Sequence, residues 1–524
     1  LVGSEMCIRD SIISLLVGSL ALGSCDLDET AYGFYSEDNF FKTAADAEAA
    51  VLYAYGALNF IEYSRTIFFL GDMPSEVMTT KSDATADNQD LNLWKIDNFK
   101  TNGSLENFFK YAFIGINRAN AVIKKVPAAN FSQEQKDHFL GEALFLRAWN
   151  YFNLARNFGL VPLHYTVVET VEQTSSALAP NMDAVYDLIL ADSRRAAELL
   201  PINSTPRIGR ADRVAAQALA AKVYLYIASA KEHGVKLYKD MHRDVEVMYD
   251  SAAYFANEII EKQSVYGFED NLLDIYDVEK ARGKEHIFIM AMDRSGSSEG
   301  QYSKISKMFI PYVDGSVLYL KQGDKNEYIP THDGYAEYRT TIPFFNSFDA
   351  NDKRKKDLIV DKVYNKDGSL LGEYPGKLPY PFCRKYIDPK YEQDKTSTRP
   401  FLIRFSDVAL IYAEAAGPNS KSYQLVNFIR NRAGLGNLKP DLAKEDFRKE
   451  IFKERTFEMA FEGDHMYDLR RWNRITTDVE EATGLSEDQV AFYPIPQAEI
   501  NLNGSLRAVS YTHLRAHETD SYLV

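Results

Sequence analysis

Apolar residues recur at helical spacing through most of the first half of the chain. In residues 106–126 and 133–158 the apolar side chains return every three or four positions, as one buried helix face requires. Pro127 ends the first stretch, and Gly159 follows the second as a C-cap. A short polar turn separates the two stretches, so together they predict a helical hairpin.

A second hairpin is predicted from residues 211–230 and 247–262. The first of these is rich in alanine, which permits close helix approach, and the second carries apolar and aromatic residues. Pairs of this length with small residues facing aromatic ones resemble tetratricopeptide repeats, although the spacing is too irregular for a regular array. Further helices are predicted over 43–60, 183–200, 404–416, 421–433 and 443–462.

The pattern changes between residues 266 and 400. This stretch is rich in Gly, Pro, Tyr and charged residues, and short apolar runs such as 286–290 predict a few strands. Long segments of it follow neither the helical nor the strand period. A loop-rich insert of this length inside a compact protein is usually either functional or a misassigned element.

Composition and charge narrow the class of protein. The 524 residues are 45% hydrophobic and 13% aromatic, enough to bury a large core. The net charge of −15 and the absence of a basic cluster argue against a nucleic-acid partner and against a cationic membrane-surface helix. Cys7, Cys25 and Cys383 are too few and too scattered for a disulfide framework or a cysteine zinc site.

An apolar run at residues 12–22 precedes Gly23-Ser24-Cys25. It is too short to span a bilayer and suits the core of an export signal, which we predict over residues 1–24. The sequence Leu-Gly-Ser-Cys resembles a bacterial lipobox, so Cys25 is the predicted lipidation site. The acidic residues 26–30 resemble the stretch that sends such lipoproteins to the cell surface. The alternative is a buried apolar helix with an incidental cysteine.

The two ends do not fit this picture. Residues 1–10 contain two acids and one Arg where an export signal begins with Met and basic residues, and residues 509–520 have no periodicity. Both ends resemble translated sequencing-adaptor sequence, so we expect artefacts before the signal and over 508–524. Cys7, His513 and His517 therefore carry no weight.

Five segments resemble the SusD/RagB family, in the family's order. They are 141–154 (GEALFLRAWNYFNL), 401–415, 426–434, 454–472 and 494–500. The resemblance runs from Cys25 to Asn503 and departs after that residue. It divides the chain into an N-terminal helical region (25–265), the loop-rich insert (266–400) and a C-terminal helical region (401–507).

The resemblance implies a mostly α fold, in which a tetratricopeptide-like helical hairpin scaffold carries the loop-rich, small-strand insert packed on it. It also implies a surface-exposed lipoprotein, lipid-anchored in the cell outer membrane. Such a protein captures oligosaccharide, without catalysis or cofactor, and delivers it to a SusC-like TonB-dependent outer-membrane transporter. A protein of the same architecture that captures peptides remains an alternative, because loop side chains choose the cargo.

A glycan site needs aromatic platforms beside polar groups that pair with hydroxyls. Trp94 lies in a polar connection, and Asp72 lies where relatives have a ligand-facing loop, so both are predicted ligand contacts. Tyr302, Tyr312 and Tyr319 in the insert would complete an aromatic arc. The alternatives are a packed loop anchor for Trp94, a plain loop carboxylate for Asp72 and packing or solvent-exposed tyrosines.

Two motifs raise enzyme hypotheses. Residues 296–300 match G-x-S-x-G around Ser298, as in a serine hydrolase, but polar residues surround the serine where an elbow needs a strand and an apolar helix. A Ser/Gly loop is the better interpretation. His465 lies among acids, yet a zinc site needs more ligands, so we predict a salt-bridge network beside Arg470 and Arg471. Metal ligands are not predicted, and no nucleotide-binding glycine motif opens a helix.

Overall fold

The structure is a computed structural model that describes residues 41–170, 172–202, 208–280 and 283–506. The predicted export signal, the predicted lipidation site Cys25 and the predicted artefact tail 508–524 lie outside the described residues. None of the helices in these ranges is both long enough and apolar enough to cross a membrane.

Helices make up most of the described chain. They are α1 (Ala44–Tyr55), α2 (Ile61–Phe69), α3 (Ala86–Asn92), α4 (Gly103–Lys125), α5 (Gln133–Phe158), α6 (Met182–Leu199), α7 (Arg213–Glu232), α8 (Val245–Lys262), α9 (Ile305–Phe309), α10 (Ile342–Ser347), α11 (Phe405–Ala416), α12 (Ser420–Arg432), α13 (Lys444–Glu458), α14 (His465–Arg471), α15 (Ile475–Asp478), α16 (Glu487–Val490) and α17 (Gln497–Leu502).

The predicted hairpins are present. Helix α4 packs on α5, α7 packs on α8, and α11 packs on both α8 and α12. Polar caps set where the long helices begin: the Asn102 side chain accepts hydrogen bonds from the first turn of α4, and Ser132 and Gln135 form a capping box on α5. Gly159 ends α5 with φ +70°. The mostly α, tetratricopeptide-like fold predicted from the sequence is confirmed.

Helix α13 ends at Glu458, four residues before the predicted boundary at 462. The chain then turns sharply, with φ +65° at Phe461 and +80° at Gly463. A Cβ atom on Gly463 would lie 2.8 Å from the carbonyl oxygen of Phe68, so glycine permits the close approach to α2. The predicted helix 43–60 is likewise shorter, since α1 gives way to a 3-10 turn at Gly56–Asn59.

The insert contributes most of the short strands. They are β1 (Met78–Thr80), β2 (His286–Ile289), β3 (Leu318–Lys321), β4 (Tyr328–Thr331), β5 (Tyr338–Thr340), β6 (Ile359–Val360), β7 (Lys362–Tyr364), β8 (Leu370–Glu373), β9 (Phe382–Cys383) and β10 (Phe401–Arg404). An antiparallel sheet has the order β4-β3-β7-β8, and β1–β5, β2–β10 and β6–β9 form pairs. Leu318 and Leu320 face a separate small core, so alternation places Tyr319 on the outer face.

A buried charge network mounts the insert on the helices. The fully buried Arg404 guanidinium bonds Glu462 at 2.7 Å, Glu285 at 2.9 Å and Glu458 at 3.0 Å. Lys385 of the insert donates to Glu462 at 2.6 Å. Charges this deep need several partners to offset their desolvation. The network therefore joins β10 and α13 to the insert.

A second part of the same network ties the C-terminal helices to the N-terminal ones. Arg455 of α13 bonds Asp407 at 2.8 Å and Asp464 at 3.2 Å. Lys222 of α7 bonds the same two carboxylates at 2.8 and 2.5 Å, and Arg156 of α5 bonds Asp464 at 3.0 Å. Most of these residues lie in the segments that resemble the family. We call both parts together the buried charge network.

Candidate ligand-binding surface

Trp94, the predicted sugar platform, is enclosed. Its side chain is 4% exposed, and its indole Nε1 donates to the Pro74 carbonyl at 2.8 Å. The Phe99 and Tyr493 rings lie 6.0 and 6.3 Å from it, centroid to centroid. A ring with no free face cannot stack on a sugar in this conformation. The geometry matches the alternative from the sequence, a packed loop anchor.

Asp72, the predicted polar contact, is also buried. Its Oδ2 accepts the Gly463 backbone N–H at 2.5 Å, and burial raises the pKa of Asp72 to about 7. The preceding Gly71 is so close to Gly463 that a Cβ would lie 1.8 Å from that carbonyl oxygen. The loop predicted to face ligand is therefore pressed onto the turn after α13, and Asp72 supports it from inside.

His465 also joins the loop around Asp72 to the segment after α13. Its Nε2 is 2.7 Å from Glu76, whereas Arg470 donates to the Arg156 carbonyl and Arg471 to Asp468 and Glu414. Burial disfavours the charged form of His465, but the Glu76 carboxylate outweighs it and raises the pKa of His465. The histidine is part of an ion pair, as predicted, although its partner is an N-terminal acid.

Four insert tyrosines form a more accessible surface. We call it the tyrosine face, and it comprises Tyr302, Tyr319, Tyr335 and Tyr391 with the charged residues Lys304, Lys307 and Asp394 between them. Tyr302 and Tyr319 are predicted site residues, and the other five come from the structure.

Asp394 is at the centre of this face. Lys307 forms an ion pair with it, and Lys304 lies 3.7 Å away. The Tyr335 hydroxyl donates to Asp394 Oδ2 at 3.3 Å, and Lys307 Nζ lies 5.0 Å from the Tyr335 ring centroid. The hydrogen bond from Lys307 lowers the pKa of Asp394, so this carboxylate is ionised at neutral pH and can accept further hydrogen bonds.

The face continues to helix α2. Lys395 Nζ lies 5.2 Å and Lys304 Nζ 6.0 Å from the Tyr302 ring centroid, within cation–π range. Lys304 also lies 3.6 Å from Glu299, which in turn is paired with Arg65 of α2. The hollow at this end measures about 30 Å³, room for about one water molecule. The surface is consequently a platform.

Tyr319 and Tyr391 are neighbours at the other end. Burial raises the pKa of Tyr391, and the nearby Tyr319 hydroxyl adds to the effect. The His332 ring meets Tyr391 edge-on at 4.9 Å. Tyr312, the third predicted tyrosine, is 65% exposed, but no ring or ionic contact within the described ranges joins it to the other four.

Neither Tyr335 nor Asp394 was predicted from the sequence as a site residue. Tyr335 lies in a loop between β4 and β5, beside Gly334, and is 44% exposed. An aromatic residue next to glycine in an irregular insert is a usable signal. Among 33 tyrosines it cannot be singled out, because only the folded chain brings Tyr335 next to Asp394, 59 positions further on.

The hydrolase hypothesis finds no supporting geometry at Ser298. The serine is exposed in an irregular segment, and within the described ranges its hydroxyl contacts no histidine. Strand β2 ends at Ile289, well before it. The same ranges contain no group of three or more His, Cys, Asp or Glu side chains that could hold a metal ion. The third cysteine, Cys383, is a buried thiol whose pKa burial raises to about 12.

Comparison with known proteins covers most of the chain. A model of the SusD family matches residues 284–510, and a model described as starch-binding and associating with outer membrane matches residues 36–225. The SusD-like protein P2 of Formosa agariphila is 25% identical over 94% of this chain and 98% of its own length.

Two solved structures share the fold. A SusD homolog from Bacteroides thetaiotaomicron superposes with a TM-score of 0.73 at 19% identity, covering 90% of this chain and 98% of its own. A laminarin-binding SusD-like protein has a TM-score of 0.72 at 23% identity, covering 88% of this chain and 98% of its own. Identities this low establish similarity of fold.

Proposed function

The chain belongs to the SusD/RagB family, and on that premise we propose that it captures oligosaccharides on the tyrosine face without cleaving them. We further propose that it delivers them to a TonB-dependent outer-membrane transporter. The laminarin-binding relative with the same fold supports the ligand class. The observation in this chain that carries the proposal is the grouping of Tyr335, Lys307 and Asp394.

This grouping has the chemistry that a sugar requires. A pyranose presents an apolar C–H face that stacks on an aromatic ring and a rim of hydroxyls that pair with charged groups. Tyr335 supplies an exposed ring, and the ionised Asp394 beside it accepts hydroxyl donors. Lys307 and Lys304 donate to hydroxyl oxygens. Tyr302 and Tyr319 extend the platform beyond this grouping.

We propose that the protein is anchored at the outer membrane by a lipid on Cys25 and exposed at the cell surface. The family description of outer-membrane association supports the compartment. The lipobox-like sequence ending at Cys25 supports the anchor.

Calorimetry against a panel of oligosaccharides that includes laminarihexaose tests the capture, with the sugar products analysed after prolonged incubation. We expect micromolar binding of at least one member and recovery of every ligand intact. Release of shorter sugars would contradict capture without catalysis. Binding of peptides with no binding of any glycan would favour the peptide-capturing alternative.

The anchor and the transporter are tested in cells. Labelling with a fatty-acid analogue should mark the wild-type protein and spare Cys25→Ser, which should also leave the membrane fraction. A large β-barrel transporter should co-purify with the wild-type protein from detergent-solubilised membranes. Labelling of Cys25→Ser, or purification without any such barrel, would count against the respective proposal.

A further inference from the structure

Two cavities meet in the insert, outside the tyrosine face. One has a volume of about 590 Å³ and is bordered by the 270–278 segment and the β3–β4 turn; the other has about 390 Å³ and borders β7. Both are within the size range of small-molecule sites. They share Gly323, Asp324, Lys353, Asp357 and Arg384. We call the two together the joint cavity.

Arg384 lies where the two cavities meet, and its side chain is only 7% exposed. Its terminal nitrogens donate to two neutral acceptors, the Lys321 carbonyl and the Gln322 side chain. No carboxylate among the described residues forms an ion pair with it, whereas the fully buried Arg404 has three such partners. Burial accordingly lowers the pKa of Arg384 to about 10. The joint cavity therefore contains a buried cation that makes no direct ion pair with a described carboxylate and is influenced by Asp357 only through its charge.

The acids of the joint cavity offer free acceptors. Asp357 is half-buried and accepts no hydrogen bond from any described residue, and burial raises its pKa although the charge of Arg384 acts in the opposite direction. Burial raises the pKa of Asp361 in the same way. Carboxylates in this state accept bonds from sugar hydroxyls. The two carboxylates can accept hydrogen bonds from hydroxyls, and Arg384 can pair with a negative group. A ligand that combines hydroxyls with one negative group would match this arrangement.

Charge limits how anionic this ligand is. The lining combines acids such as Asp270 and Glu327 with bases such as Lys325 and Lys356, so it has no surplus of positive charge, and the chain as a whole has a net charge of −15. A polymer with a negative group on every unit would be repelled. A saccharide with a single carboxylate, placed at Arg384, avoids that repulsion.

We propose that the joint cavity is a second ligand subsite, which binds the carboxylate of an acidic saccharide at Arg384. The saccharide class rests on the proposed function. Tyr364 borders the smaller cavity, and its strand partner across the sheet is Tyr319 of the tyrosine face. An oligosaccharide on the face is thus next to this subsite.

Affinity measurements with matched ligands test the subsite. Oligosaccharides ending in glucuronate, galacturonate, mannuronate or sialate are each compared with their carboxyl-reduced forms. We expect the wild-type protein to bind at least one acidic form about tenfold more tightly than its reduced partner, the effect of one charge-assisted bond. Arg384→Gln should bring the two forms within about twofold of each other while binding of neutral glycans persists.

Two further variants make the test sharp. Asp357→Asn removes a negative charge near Arg384 and should tighten binding of the acidic form, the opposite of the effect of Arg384→Gln. The Asp357 side chain is partly exposed and accepts no hydrogen bond from a described residue, so the fold should tolerate this change. Arg195→Gln, on the exposed part of α6, should change nothing. Equal affinity for acidic and reduced forms, or a preference that survives Arg384→Gln, would overturn the subsite. Absence of all glycan binding would instead overturn the proposed function.

Discussion

The buried charge network and the tyrosine face use the same kinds of side chain for opposite purposes. In the network, Arg404 and Arg455 are fully buried, and each guanidinium is surrounded by carboxylates. On the face, Lys307 and Asp394 form a pair that water can reach, and the adjacent Tyr335 ring is open. Charged groups that are buried and paired with one another are out of reach of a ligand. The partly solvated Lys307–Asp394 pair can still bond a ligand. The degree of burial therefore distinguishes the network, which supports the fold, from the tyrosine face, which can recognise a ligand.

Arg404→Ala should have the largest effect, since it removes the positive charge that three buried carboxylates share. We expect the free energy of unfolding to fall by about 5 kcal/mol, measured by chemical denaturation. The matched control is Arg195→Ala, an exposed arginine paired with Glu198, which should cost no more than about 0.5 kcal/mol. If both variants lost similar amounts of unfolding free energy, buried and exposed ion pairs would not differ in their contribution to stability.

Trp94→Ala tests whether this tryptophan stabilises the fold or contacts the ligand. Removing the buried indole should lower the free energy of unfolding by about 3–4 kcal/mol. The folded fraction should bind glycans as the wild-type protein does. Trp94→Phe retains a smaller ring and loses the hydrogen bond to Pro74 together with part of the packing, so it should cost less than Trp94→Ala, about 2 kcal/mol. Lost sugar affinity in stable Trp94→Phe would return the residue to the ligand site.

The free energy of unfolding should also depend on pH, because Asp72 is a buried titratable group. Its pKa is 3.8 unfolded and about 7 folded, so folding takes up a proton. The resulting stabilisation is fully present below pH 3.8 and is lost as pH rises through about 7. It amounts to at most on the order of 4 kcal/mol. The raised pKa of His465 acts in the same direction, in a window above 6.5.

Denaturation across this pH range therefore compares wild type with Asp72→Asn. The free energy of unfolding of the wild-type protein should decrease more steeply between about pH 4 and pH 7. The difference between the two slopes isolates Asp72 from His465 and Glu76. Identical slopes would mean that Asp72 is not the buried, proton-binding group that its position indicates.

Tyr335→Ala should have the smallest effect on stability and the clearest effect on ligand. Loss of an exposed stacking ring should weaken glycan binding about tenfold, which corresponds to about 1.4 kcal/mol, with little change in unfolding. Tyr165→Ala is the matched control, because Tyr165 is 58% exposed and lies outside the face. Unchanged calorimetric affinity in Tyr335→Ala, or an equal loss in Tyr165→Ala, would refute the tyrosine face.

The helical half of the fold was predictable because its signals are local. Apolar spacing and caps such as Ser132 and Gly159 act within a few residues, and the predicted 133–158 helix has the observed bounds. The end of α13 was misplaced because it depends on a distant contact, between Gly463 and Phe68. In the insert, aromatic and charged residues signalled ligand chemistry without indicating which of them meet.

By itself, the sequence determined the mostly α scaffold and the family, since both rest on patterns and motifs that run along the chain. Only the tertiary structure decided exposure and proximity. It placed Trp94 and Asp72 inside, joined Tyr335 to Asp394 across 59 positions and left Arg384 without a direct ion pair among the described residues. The physical reason is that solvent access and the distances between charges depend on how remote segments pack, and no local pattern encodes them.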